Sequence, residues 1–116
     1  MDMRIYKNDD EIYILELQGK MDLYNSGRIR ETVMKIIEKK TEGLILDLKG
    51  VDAIRSAGIG VLINISSTLK KLNYSLVITN ASSVVQKAME VTKLKGYLPI
   101  TPTLKEAIDR INEAKA

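Results

Sequence analysis

The run Leu44-Ile45-Leu46-Asp47-Leu48 constrains the fold more than any other stretch of the chain. Its near-continuous apolar character, without polar-out alternation, is the pattern of a buried strand. The segment before it has a different period. Ile29, Val33, Ile36 and Ile37 recur at helical spacing, with Arg28, Arg30, Lys35 and Lys39 on the other side. That helix is expected to begin between Tyr24 and Gly27 and to end before Gly43. A helix joining two strands implies a crossover, and hence a sheet that is at least partly parallel.

The rest of the chain supplies more units of the same kind. Arg4 to Lys7 and Glu11 to Gln18 read as two strands joined by an Asn8-Asp9-Asp10 turn, a hairpin. In the second strand Tyr13, Leu15 and Leu17 form the more apolar face and are expected to meet the core, opposite Ile12, Ile14 and Glu16. Gly19-Lys20-Met21-Asp22 is expected to break that strand. Ser75 to Thr79 is a further strand, followed by a short helix with Val84, Val85, Ala88, Met89 and Val91. Pro99-Ile100-Thr101 reads as an edge strand, because proline cannot donate to a central ladder. A last helix carries Leu104, Ala107, Ile108 and Ile111, with Thr103 as N-cap and Glu106 completing a capping box.

The helix beginning around Ser56 is unusual. Its apolar residues, from Ile59 through Ile63, Leu62, Leu69 and Ile65 to Leu72 and Val61, span an arc about 200° wide. Either two neighbours flank it on the sheet, or its Val61/Ile65 edge meets a partner. The chain is expected to be one α/β domain over residues 1–116. A mixed, mostly parallel sheet of about four to five strands would be covered by about four helices.

Composition narrows the chemistry. The 116 residues contain no histidine and no cysteine. Histidine general bases, thiol nucleophiles, disulfides and most zinc sites are therefore excluded. No catalytic residue, metal ligand or cofactor is expected, and the chain is not expected to be an enzyme. Eighteen Lys plus Arg against fifteen Asp plus Glu leave a formal charge of +3. The densest basic run, Glu38-Lys39-Lys40, is offset by Glu42 and reads as a solvated helix end. No basic cluster with interleaved aromatics suggests direct nucleic-acid binding. No apolar stretch approaches the ~18 residues of a membrane span, so no membrane insertion is expected. The start lacks a signal-peptide pattern, which makes a cytoplasmic location the expectation.

The segment Gly50 to Gly60 follows the buried strand and delivers Ser56 to a helix start, with Gly58 and Gly60 in its first turns. On residue type alone Ser56 reads as a plain N-cap. The glycine pair implies a close approach to the backbone or an irregular turn. The fuller phosphate-loop spacings are absent. Asp22 and Asp47 read as carboxylates that cap amides or turn the chain.

Val51-x-x-Ile54-x-Ser56-x-Gly58-Ile59-Gly60-Val61-Leu62 resembles the signature segment of the STAS domain, and more closely that of the serine-phosphorylated bacterial anti-sigma factor antagonists. Leu17 to Asp22, Leu44 to Leu48 and Val85 to Ile100 agree with the same family. The resemblance implies a protein that binds an anti-sigma factor serine kinase and so releases a sigma factor. That kinase would phosphorylate Ser56 and end the interaction, and a serine phosphatase would reverse it. It places the partner-binding surface on Asp22, Arg55, Ser56, Gly58, Val61 and Ile65, in a chain expected to be monomeric when free. Two positions depart from the family pattern: Arg55 stands where an aspartate is usual, and Ala57 where a second hydroxyl is usual. Arg55 keeps open an alternative, a STAS scaffold or subunit in another assembly, such as a stress-signalling complex or lipid transport, with Ser56 unmodified.

Overall fold

A computed structural model describes residues 1–39, 41–93 and 95–115, with Lys95 described by its backbone alone. Strands β1 (Asp2–Lys7) and β2 (Ile12–Met21) form the expected antiparallel hairpin. Helix α1 (Leu23–Ile37) leads to β3 (Gly43–Ile54), and α2 (Ser56–Lys71) leads to β4 (Leu76–Thr79). Helix α3 (Ser83–Val91), a 3₁₀ turn at Lys95–Tyr97, β5 (Ile100–Thr101) and α4 (Leu104–Lys115) complete the described chain. The strands lie in chain order, β1-β2-β3-β4-β5, and every pairing after the first is parallel. This is a single α/β domain, five strands with four helices among the described residues. Lys40, part of the basic run read from the sequence, and Leu94, within the Val85 to Ile100 stretch, lie outside the described residues.

Two apolar layers sandwich the sheet. On one face Leu15, Leu17, Leu44, Leu46, Leu48 and Ile78 pack under α1, α2 and α3. On the other, Ile12, Ile14, Ile45 and Val77 pack under Ala107 and Ile111 of α4. The sequence assigned the core to the Leu15/Leu17 side of β2 alone. Ile12 and Ile14 are just as buried, because α4 returns across the opposite face. A run such as Leu44 to Leu48 is continuous for this reason: helices cover both sides of it.

The ends of β2 and β3 differ from the sequence expectation in a way that builds the site. Residues Gly19 to Met21 do not break β2; they continue it beside Val51 to Ile54. Residues Gly50 to Ile54 are accordingly strand, not connection. The pairing shifts register between Glu16 and Gln18 and again between Gly19 and Lys20, so β3 carries extra residues at both places. Such bulges re-aim side chains. Here the first lets the core face pass from Leu48 to Val51, both buried against the same layer. Gly19 absorbs part of the irregularity with φ +114°, a conformation that L side chains rarely adopt.

Candidate functional site at the start of α2

The paired ends of β2 and β3 deliver two helices to one end of the sheet. Met21 lies opposite Ile54, and the Arg55 N–H donates to the Met21 carbonyl at 2.9 Å. Two residues beyond each strand end, α1 and α2 begin. The α1 start is tied down twice. Asp22 accepts a hydrogen bond from the Asn25 N–H at 3.0 Å, and the buried Asn25 side chain donates to the Lys20 carbonyl at 2.9 Å. A third helix joins them: the Ser82 hydroxyl donates to the Val51 carbonyl at 3.0 Å, which sets the start of α3 against the extended part of β3.

Ser56 is not the N-cap of α2. Arg55 occupies that position, with φ −106° and ψ 172°, and makes no side-chain cap bond. Ser56 is the first helical residue and is exposed, and its hydroxyl has no hydrogen-bond partner among the described residues. The first amides of a helix have no carbonyl partner within it, and they carry the positive end of the helix dipole. At α2 these amides stand uncapped by any side chain, beside an exposed guanidinium and an exposed hydroxyl.

The residues expected at the partner surface separate into two groups. Asp22, Arg55 and Ser56 gather at this end of the sheet. Gly58, Val61 and Ile65 do not belong to a surface: all three are buried, and Ile65 has no exposure. The wide apolar arc of α2 is only partly covered: Val61, Leu62, Ile65 and Leu69 are buried, with α1 packed directly against the helix, while Ile63 and Leu72 of the same arc are exposed. Gly58 is required by the chain itself. A Cβ placed there would lie 2.8 Å from Met21 Cβ and closer still to the Met21 carbonyl oxygen. Gly60, by contrast, faces open space, with nothing within 4 Å of a Cβ placed on it. Asp47 is buried and structural, accepting from the Lys49 N–H at 2.9 Å and from the Asn80 side chain at 3.2 Å.

Two prominent residues escaped the sequence reading. Leu23 and Tyr24 open α1 and are 81% and 87% exposed, the aliphatic and aromatic side chains closest in sequence to the Asp22 cap. A signal for them was available: Leu23 lies about 110° and Tyr24 about 150° around the helix from the centre of the Ile29/Val33/Ile36 stripe. Val84, at the start of α3, is also half exposed. Single exposed apolar residues are ordinary, but exposed apolar side chains at the starts of both α1 and α3, on one end of a sheet, suit a protein surface.

Among the described residues there is no group of three metal-ligating side chains, and no helix is long and apolar enough to cross a membrane. A concavity of about 740 Å³ runs along the sheet face beside α4 and includes Arg4, Tyr6, Glu16 and Asp47. Burial, then the Glu16 and Asp47 carboxylates, push the Tyr6 phenol above its ordinary range.

Comparison with known proteins accords with this geometry. The model of the STAS domain matches residues 3–107. The chain is 27% identical over 97 residues to the anti-sigma-B factor antagonist of Bacillus subtilis, covering 84% of this chain and 87% of that one. Its fold is similar to an anti-sigma factor antagonist from Mycobacterium paratuberculosis, with TM-score 0.84 at 17% identity, covering 96% and 93% of the two chains. It is also similar to the Bacillus cell fate determinant SpoIIAA in the phosphorylated form, with TM-score 0.69 at 20% identity, covering 95% and 99%. The family model spans most of the chain, the overall fold matches that of solved members, and the protein belongs to the STAS domain family.

Proposed function

We propose that this protein is an anti-sigma factor antagonist that binds an anti-sigma factor serine kinase through the start of α2, and so releases a sigma factor. Phosphorylation of Ser56 by that kinase ends the interaction, and a serine phosphatase restores it. The observation that carries the reading is the exposed, unpartnered Ser56 hydroxyl on an uncapped helix start, next to the exposed side chains that open α1. Relatives described as anti-sigma factor antagonists, one of them solved in a phosphorylated form, support it.

The switch follows from local electrostatics. A phosphoryl group adds roughly 1.5 to 2 negative charges and several strong acceptors. In the free domain the open amides of α2, its dipole and the Arg55 guanidinium all favour that charge. In a complex the same group must be desolvated against the partner. A loss of about 3 kcal/mol weakens binding by roughly a hundredfold, without any refolding of the domain.

The surface is redrawn accordingly: Asp22, Leu23, Tyr24, Arg55, Ser56, Gly60 and Val84 take the place of the buried Gly58, Val61 and Ile65. Incubation with the cognate kinase and ATP, followed by peptide mass spectrometry, tests the switch. Phosphate is expected on Ser56, and its absence with a kinase active on another substrate overturns this reading. Tyr24→Ala is expected to weaken kinase binding by at least about tenfold, the size of an aromatic anchor, with circular dichroism unchanged. Arg55 favours one second reading, a scaffold in a larger assembly with Ser56 unmodified, and the same kinase assay decides between them.

A further inference from the structure

We propose that the outer edge of β1 is a self-association strand, on which a second copy of this chain adds its own β1, antiparallel, about a two-fold axis at Ile5. The hairpin determines which backbone groups are free. The Asn8 N–H donates to the Ile12 carbonyl at 2.9 Å, and the pairing continues without a shift from Lys7 opposite Tyr13 to Asp2 opposite Gln18. Bonded pairs alternate along an antiparallel ladder. Asp2, Arg4 and Tyr6 therefore turn their amides and carbonyls toward β2, while Met3, Ile5 and Lys7 turn theirs outward. β1 ends the sheet, and it contains neither proline nor bulge. On this open edge Ile5 is 47% exposed. An open edge is a template for another strand, and here the exposed Arg4 and Lys7 limit which strands can add to it.

Side chains favour pairing with a second copy about Ile5 over pairing about Arg4. A two-fold axis perpendicular to the sheet pairs residues of equal parity, because facing side chains must lie on the same side. Centring the axis on Arg4 would set two guanidiniums against each other in a non-bonded pair, where Cα atoms are only about 4.5 Å apart. Centring it on Ile5 removes that repulsion. Ile5 then meets its own copy in a bonded pair, and the outward groups of Met3 bond those of Lys7 on either side. Arg4 faces the second copy's Tyr6, repeating a cation–π contact that Arg4 and Tyr6 already make within one chain at 5.2 Å. Asp2 falls opposite Asn8, so no like charges meet. The strand is thus complementary to itself about Ile5 and repelled about Arg4.

The product is one continuous sheet with α1, α2 and α3 of both copies on the same side. Ser56 lies at a strand end in each copy and stays open, so this proposal stands independently of the one above and departs from the monomer expected from the sequence. Sedimentation equilibrium of the full chain is expected to show a concentration-dependent dimer. Ile5→Lys, which puts two ammonium groups at the axis, is expected to raise the dissociation constant at least about tenfold with native circular dichroism. Because the chain has no cysteine, engineered thiols report the register. Ile5→Cys is expected to form a disulfide-linked dimer on mild oxidation, since a bonded pair places Cα atoms about 5.5 Å apart, within disulfide range. Arg4→Cys is expected to remain unlinked. A monomer at every concentration, a dimer indifferent to Ile5→Lys, or preferential linkage through Arg4→Cys would overturn the proposal.

Discussion

Three helix starts in this domain are closed by a side chain, and the fourth is left open. Asp22 caps α1 through the Asn25 amide at 3.0 Å, Ser82 caps α3 through Val85 at 3.4 Å, and Thr103 caps α4 through Glu106 at 3.2 Å. At α2 the cap position holds Arg55, whose side chain accepts nothing. A cap of the first kind contributes about 1 kcal/mol. The lesson is that α2 is positioned by other means. Its entry is fixed by the Arg55 amide on the Met21 carbonyl and by Gly58 pressed against Met21, which leaves the helix-start amides unclaimed by side chains. Packing holds this helix where chemistry holds the other three.

Breaking the packing should therefore cost more than breaking any cap. Gly58→Val places side-chain atoms in space already filled by the Met21 backbone and is expected to destabilise by about 3 kcal/mol or more, the range of core overpacking. Urea denaturation measures it. A loss no larger than that of a cap variant would mean that Met21 does not hold α2 in place.

How far the sequence revealed this arrangement depends on whether the signal was local. The alternation of strands and helices, the hairpin, the Thr103 cap and the edge position of β5 were all readable, because each rests on periodicity or turn chemistry within a few residues. The Glu106 amide donates to the Thr103 hydroxyl as expected of the cap, but among the described residues the Glu106 carboxylate makes no return bond to the Thr103 amide, so the capping box is only half formed. The continuation of β2 through Gly19 to Met21 was not readable: a glycine and polar residues there look like a break until the matching bulges of β3 supply partners. The placement of Val61 and Ile65 failed for a related reason. A wide apolar arc does not say which of its edges is covered: α1 packs alongside and Val61 and Ile65 are buried, whereas Ile63 and Leu72 of the same arc are exposed. Ser56 itself was found by the family resemblance; its shift from cap to first helical residue is a difference of one position, the usual uncertainty at helix ends.

The caps themselves provide a smaller, signed test. Asp22→Ala and Thr103→Ala each remove an acceptor and are expected to destabilise by about 1 kcal/mol. Arg55→Asp runs the other way. The extended backbone at this position suits an N-cap, so the aspartate supplies the missing acceptor and is expected to stabilise the free domain by about 1 kcal/mol. Opposite signs for Asp22→Ala and Arg55→Asp in the same denaturation series would establish that α2 alone lacks a cap. Equal, negligible effects would show that its amides are already satisfied.

The smallest effect separates space needed by the fold from space left for a partner. Gly60 is exposed near the start of α2, and nothing in the domain approaches a Cβ placed on it. A glycine there costs the helix about 0.5–1 kcal/mol relative to alanine through backbone entropy alone. Gly60→Ala is therefore expected to stabilise the free domain by that amount in urea denaturation, opposite in sign to Gly58→Val two residues away. The folded chain gains nothing from the missing side chain, and the proposed kinase surface would give it a use. In titrations against the cognate kinase, Gly60→Ala is expected to bind more weakly despite its greater stability. Unchanged affinity would remove Gly60 from the contact surface and confine that surface to the residues nearer Ser56.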